Sequence, residues 1–71
     1  MAHVRFRVKL LGENETIKFA KLIVSGDQLA RDTFSRYQSL SANFFAEPTQ
    51  ANADELGFLI DSQIRLLLLS V

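Results

Sequence analysis

The stretch His3-Val4-Arg5-Phe6-Arg7-Val8-Lys9-Leu10 alternates polar and apolar side chains at every position. Successive side chains of a β-strand point to opposite faces of a sheet, so this period of two predicts a strand. The apolar face of that strand would carry Val4, Phe6, Val8 and Leu10. The other face would be basic and would carry His3, Arg5, Arg7 and Lys9.

A second strand is predicted over Thr16 to Val24, where β-branched and aromatic residues return. The two segments are separated by a polar stretch that has the length of a hairpin loop, Gly12-Glu13-Asn14-Glu15. Together they predict an antiparallel β-hairpin, and its simplest register places Lys9 opposite Lys18. Both faces of the second strand are partly apolar, which favours a bulge or a covering on both sides.

A helix is predicted to follow the hairpin and to begin at Asp27. The carboxylate of Asp27 can accept hydrogen bonds from the free N–H groups of a first helical turn. From Gln28 to Phe45 the apolar residues recur at spacings near three and four, which is typical of one helix face. Glu47-Pro48 ends this helix, because the residue before a proline is pushed out of the α region.

The last segment, from about Thr49 or Asn52 to Val71, is predicted to be a second helix. Its apolar residues follow the helical period, and leucine favours helix over strand. The main apolar face consists of Ala53, Leu56, Gly57, Ile60, Ile64, Leu67, Leu68 and Val71. The alternative is a helix that ends near Ile60 and a third strand over residues 64–71.

These segments predict one small domain over residues 1–71 with an α+β fold. The N-terminal antiparallel β-hairpin would be followed by two antiparallel helices, in the order ββαα, with one sheet face covering the helix pair. A chain of 71 residues buries a small core, and such chains usually add a disulfide, a metal ion or a partner subunit. Because the chain has no cysteine and a single histidine, His3, a partner is the remaining expectation.

The last helix is where we expect that partner to bind, because it has more apolar surface than one face can use. A second seam with spacings of three and four runs through Leu59, Ser62, Leu66 and Leu69, and Phe58 lies beside it. The predicted interface therefore consists of Phe58, Leu59, Leu66 and Leu69. The chain would be a small non-enzymatic protein–protein interaction module, either a homo-oligomer or a docking subunit of a larger complex. The competing explanation is that the hairpin wraps further around the helix, or that the tail is a buried strand.

An alternative function is nucleic-acid binding by the basic face of the hairpin, with Arg5, Arg7, Lys9 and Lys18 as contact residues. Five basic residues against two acidic ones give residues 1–21 a net charge of +3, and three against six give residues 22–71 a net charge of −3. A basic two-stranded ribbon fits the DNA major groove, and ribbon proteins of this kind bind as dimers, so the chain would be a dimeric regulatory protein. A solvated face that resists edge-to-edge aggregation would explain the same charges.

Catalysis, cofactors and membranes find little support in the sequence. No phosphate-binding loop, zinc-protease motif or nucleophile elbow is present, so we expect no catalytic residues, no metal site and no cofactor. The longest apolar run, Leu66 to Leu69, is far shorter than the roughly 20 residues of a membrane span. Met1 to Leu10 contain no apolar secretory segment, so the expected compartment is the cytoplasm.

Overall fold

The computed structural model describes residues 8–70, and they form an all-α fold. The helices are α1 (Glu13–Val24), α2 (Gln28–Ala46), α3 (Gln50–Leu59) and α4 (Arg65–Leu69). A π-helical segment, Ile60–Ile64, joins α3 to α4 without a break, because the residues at both junctions keep right-handed helical angles. We refer to residues 50–69 together as the C-terminal helix. No strand occurs between residues 8 and 70, so the predicted α+β fold is wrong.

The predicted second strand, Thr16 to Val24, lies within α1 instead. The polar stretch before it is the first turn of a helix and not a hairpin loop. The carboxylate of Glu15 accepts the backbone N–H of Gly12 at 2.9 Å, and the hydroxyl of Thr16 donates to the carbonyl of Gly12 at 2.8 Å. The first bond gives a partner to a backbone N–H at the helix start, where N–H groups lack intrahelical acceptors, and the second adds a side-chain donor to a carbonyl that already accepts the backbone N–H of Thr16.

The inner face of α1 follows the helical period. Phe19 is buried, and Leu22 and Ile23 are partly buried three and four residues further on. The predicted first strand falls on residues 3–10, of which residues 3–7 lie outside the described part of the chain. Val8 to Leu10 have no regular secondary structure. The hairpin is therefore replaced by a helix that packs through Phe19.

Helix α2 begins where the sequence predicts. Asp27 is its N-cap residue and accepts the backbone N–H of Ala30 at 3.1 Å. The turn before it depends on Gly26, whose φ of +92° lies in the left-handed region that favours glycine. The helix continues to Ala46 and stops before Pro48.

The C-terminal helix starts at an N-cap threonine, Thr49, whose hydroxyl accepts the backbone N–H of Asn52 at 3.1 Å. The side chain of Asn52 donates to the carbonyl of Glu47 at 2.8 Å and so holds the short connection from α2. The chain stays helical to Leu69, so the alternative of a third strand over residues 64–71 is wrong for the part that is described.

The π-helical segment keeps buried residues that are four positions apart on the same face of the C-terminal helix. The backbone N–H of Arg65 bonds to the carbonyl of Ile60, five residues earlier. The residues at positions 56, 60, 64 and 68 are all buried. Side chains four residues apart drift by about 40° per step in a regular α-helix, and the wider π turn removes part of that drift.

The core lies between the three helical rods, and it consists of Phe19, Ala30, Leu56, Leu59, Ile60, Ile64 and Leu68. Phe19 of α1 meets Phe34 of α2 edge to face, with ring centroids 5.9 Å apart. On the same side, Arg65 of the C-terminal helix forms an ion pair with Glu15 of α1. Helix α1 thus covers one side of the antiparallel pair formed by α2 and the C-terminal helix, and it leaves the other side open.

Candidate interaction surface

The open side of the helix pair carries a shallow groove, which we call the seam groove. Its first end lies between Leu29 and Thr33 of α2 and Leu66 and Leu67 of the C-terminal helix, and it has a volume of about 350 Å³. The four α2 residues along the groove are spaced as one helix face, namely Leu29, Thr33, Arg36 and Leu40. We call this first end the apolar end, because leucines form both of its walls.

The second end of the seam groove, the charged end, has a volume of about 570 Å³. Arg36 and Leu40 of α2 lie on one side of it, and Asp54, Glu55 and Phe58 lie on the other. Gln63 lines both ends, so the two form one continuous depression along the helix pair.

Large apolar side chains around the seam groove stand mostly in solvent. The exposed fraction is 61% for Leu29, 70% for Phe58, 60% for Leu66 and 79% for Leu69. Leu69 lies three residues beyond Leu66 on the same helix and is not one of the residues that line the groove. Several exposed apolar side chains grouped around a concave surface are typical of a binding site, whereas single ones are ordinary.

The structure places the four predicted interface residues differently. Phe58 and Leu66 line the seam groove, and Leu69 is exposed near the end of the same helix but does not line the groove. Leu59 also lines the charged end of the groove, but it belongs to the core and exposes only 2% of its surface, so it forms part of the floor and not of the exposed rim. The prediction assumed regular α-helical spacing, whereas the outer row runs through positions 58, 62 and 66, at the four-residue steps that the π turn allows.

Leu29 is a member of this surface that the sequence reading missed. The sequence places it on the apolar face of its helix, but the neighbouring Ala30 occupies the core and is fully buried. Because adjacent residues of a helix point about 100° apart, the inward position of Ala30 places Leu29 towards solvent, with 61% of its surface exposed. The sequence signal for this surface was the pair Leu29-Ala30 at the start of α2, in which the small residue and not the large one occupies the core.

The predicted basic face is not assembled as a ribbon. Arg5 and Arg7 lie outside the described residues. Lys9 precedes α1, and its backbone carbonyl accepts a hydrogen bond from Arg65 at 3.1 Å. Lys18 is exposed on α1 itself. Because the second strand of the predicted hairpin is a helix, the two-stranded ribbon on which nucleic-acid binding was based is wrong.

Arg65 takes part in both ion pairs found among residues 8–70, and it does not line the seam groove. The backbone N–H of Gly12 and the Arg65 guanidinium both stabilise the ionised carboxylate of Glu15, and they hold its pKa below the ordinary value of 4.5. Arg65 also bonds Asp61 at 2.9 Å, and this bond together with Glu15 raises the pKa of Arg65. These contacts join α1 to the C-terminal helix.

A smaller apolar surface lies on α1, where Ile17 and Val24 are exposed next to Ala20. It contains two exposed large side chains, against three that line the seam groove, Leu29, Phe58 and Leu66. The seam groove is therefore the stronger candidate for a binding surface.

Residues 8–70 contain neither a candidate metal site nor a candidate membrane span. No group of three or more His, Cys, Asp or Glu side chains in this part of the chain could hold a metal ion. None of the helices in the same range is long and apolar enough to cross a membrane.

No protein-family model, curated protein or solved structure matches the sequence or the fold.

Proposed function

We propose that this chain is a small non-enzymatic protein–protein interaction module that binds its partner in the seam groove. One observation carries the proposal: Leu29, Phe58, Leu66 and Leu69 remain mostly exposed although the chain has a closed core of its own. The partner would be a second copy of the chain or a subunit of a larger complex.

The shape of the seam groove favours a helix as the binding element. Two antiparallel helices form its walls, and a helix laid along them would bury its apolar side against both, as in a four-helix bundle. Nucleic-acid binding is not part of the proposal, because it depended on the hairpin. We place the module in the cytoplasm as part of the same proposal, and a chain without cysteine does not require an oxidising compartment.

The energetics favour a partner with apolar residues of its own. Burying a whole leucine or phenylalanine gains about 1.5–3 kcal/mol, so the exposed fractions here leave roughly 1–2 kcal/mol per side chain to be gained. Four such side chains supply roughly 4–8 kcal/mol, which is close to the cost of association, about 4–15 kcal/mol. Stable binding therefore needs matching apolar side chains from the partner.

The experiment compares two variants, Leu66→Asp and Val24→Asp. Val24→Asp is the matched control, because it also replaces an exposed apolar side chain by aspartate, but on α1 and outside the seam groove. Native particle mass is measured for purified protein and in extract of the source cells. We expect particles larger than the 8.0 kDa chain for wild type and the control, and the chain mass alone for Leu66→Asp. Circular dichroism checks that each variant is folded, and Phe58→Ser provides a second variant at the other end of the groove.

Two results would contradict the proposal. One is a wild-type chain that is monomeric both when purified and in extract. The other is a larger particle that survives both Leu66→Asp and Phe58→Ser, because the seam groove would then not be the surface that holds it together.

A further inference from the structure

We infer that the occupant of the seam groove is a second copy of this chain, related to the first by a two-fold axis that runs along the groove. The inference rests on the proposed function and adds the identity and orientation of the partner. It comes from the way in which charged and apolar residues are distributed along the groove.

At each height along the seam groove, the residues on the two walls are complementary in chemical type. At the apolar end, Leu29 of α2 lies across from Leu66 of the C-terminal helix. At the charged end, Arg36 of α2 lies across from Asp54 and Glu55. The base is on one helix and the acids are on the other, at the same height along the groove.

A two-fold rotation about an axis along the groove exchanges the two helices and leaves every height unchanged. Helix α2 of one protomer then lies against the C-terminal helix of the other, and the two run antiparallel. Arg36 faces the partner's Glu55 and Asp54, and the same contact occurs a second time by symmetry. Leu29 faces the partner's Leu66, so the apolar ends also meet.

A two-fold axis across the groove gives a much poorer match. It reverses the heights and lays the apolar end of one protomer on the charged end of the other. That arrangement would desolvate Arg36, Asp54 and Glu55 against leucines without opposite charges. The surface is therefore complementary to itself in one orientation, as a closed dimer requires.

The charges in question are available for such contacts. Arg36 forms no ion pair with any other residue between positions 8 and 70, and neither do Asp54 and Glu55. Asp54 accepts one hydrogen bond from the side chain of Gln50 at 2.7 Å, which leaves acceptor capacity on its carboxylate. An arginine and two carboxylates that are unpaired within the described chain, at the rim of an apolar groove, are suited to steer association.

Charge reversal tests this orientation by sedimentation of the purified full chain. Wild type is expected to form a dimer of twice the 8.0 kDa chain mass at micromolar concentration. Arg36→Glu alone and Glu55→Arg alone should each weaken the dimer by roughly tenfold or more, because both symmetric contacts become repulsive. An equimolar mixture of the two variants should restore much of it, since both contacts between positions 36 and 55 again join an acid to a base. Lys18→Glu, with the same change of charge on α1, should leave the dimer unchanged.

Several results would overturn the inference: a monomeric wild type, a dimer that neither reversal weakens, or two weakened variants that do not associate when mixed. These results are distinguishable from failure of the proposed function. If purified protein is monomeric but a larger particle in extract is lost in Leu66→Asp, the seam groove binds a different protein, and only the second-copy inference fails.

Discussion

Replacing Leu59 and Leu66 by alanine, one at a time, separates the core side of the C-terminal helix from its open side. Leu59 exposes 2% of its surface and belongs to the core, whereas Leu66 exposes 60% and borders the seam groove. Removing a buried leucine leaves a cavity and costs about 2–5 kcal/mol. Removing a mostly exposed leucine side chain costs at most about 1 kcal/mol in the monomer.

The difference is large compared with the stability of the whole domain. A chain of 71 residues has a free energy of unfolding of roughly 4–10 kcal/mol, so Leu59→Ala should remove about half of it. Urea unfolding followed by circular dichroism measures both variants, at a protein concentration low enough that the wild type is monomeric. Equal losses of stability for Leu59→Ala and Leu66→Ala would refute the placement of these two side chains, and with it the open side of the groove.

Three further predictions concern the fold. Asp27→Ala removes the N-cap of α2 and should lower the free energy of unfolding by about 0.5–2 kcal/mol in the same urea assay; no loss would show that the cap does not hold the helix. The pKa of Glu15 is lowered in the folded state, so its contribution to stability is present above the ordinary value of 4.5 and is lost as the pH falls below it. Glu15→Gln should therefore be less stable than wild type at neutral pH and show a flatter loss of stability in acid, and parallel pH profiles would contradict this. Gly26→Ala should destabilise the fold by about 1–2 kcal/mol, because Gly26 has a φ of +92°. Gly57→Ala should stabilise it by up to about 1 kcal/mol, because an added Cβ there meets nothing within 4 Å and alanine favours the helix. Thermal unfolding measures both, and changes of the same sign would contradict the backbone conformations assigned to the two glycines.

Local chemistry explains which helices could be predicted from the sequence. The start of α2 depends on one side chain and its own backbone, so Asp27 could be recognised as a cap without knowledge of the rest of the fold. The C-terminal helix was predicted from its long apolar period and its leucines, which favour helix.

Helix α1 could not be predicted in the same way, because its residues fit two periods. Residues 20–24 partly alternate and include β-branched side chains, which indicate a strand, whereas Phe19, Leu22 and Ile23 also share one helix face. The contact of Phe19 with Phe34 and the ion pair of Glu15 with Arg65 join residues far apart in the chain. Tertiary packing of this kind decides between the two periods, and the local sequence does not contain it.

The surface was partly predictable for a related reason. An excess of apolar residues on the last helix predicted a surface of Phe58, Leu59, Leu66 and Leu69, and the structure leaves Phe58, Leu66 and Leu69 exposed while it buries Leu59. The π turn changes the register by a fraction of a turn. Its only signal in the sequence is an apolar residue at every fourth position, 56, 60, 64 and 68. That pattern also fits a regular α-helix approximately.

Methyl NMR spectra of leucine- and valine-labelled protein, recorded over a dilution series, test the proposed docking most directly. We expect the resonances of Leu29 and Leu66 to shift with protein concentration, because these side chains leave water when a second copy binds. The resonances of Val24, which is exposed on α1, should stay constant. Constant shifts at Leu29 and Leu66 up to millimolar concentration, or shifts confined to Val24, would contradict self-association through the seam groove.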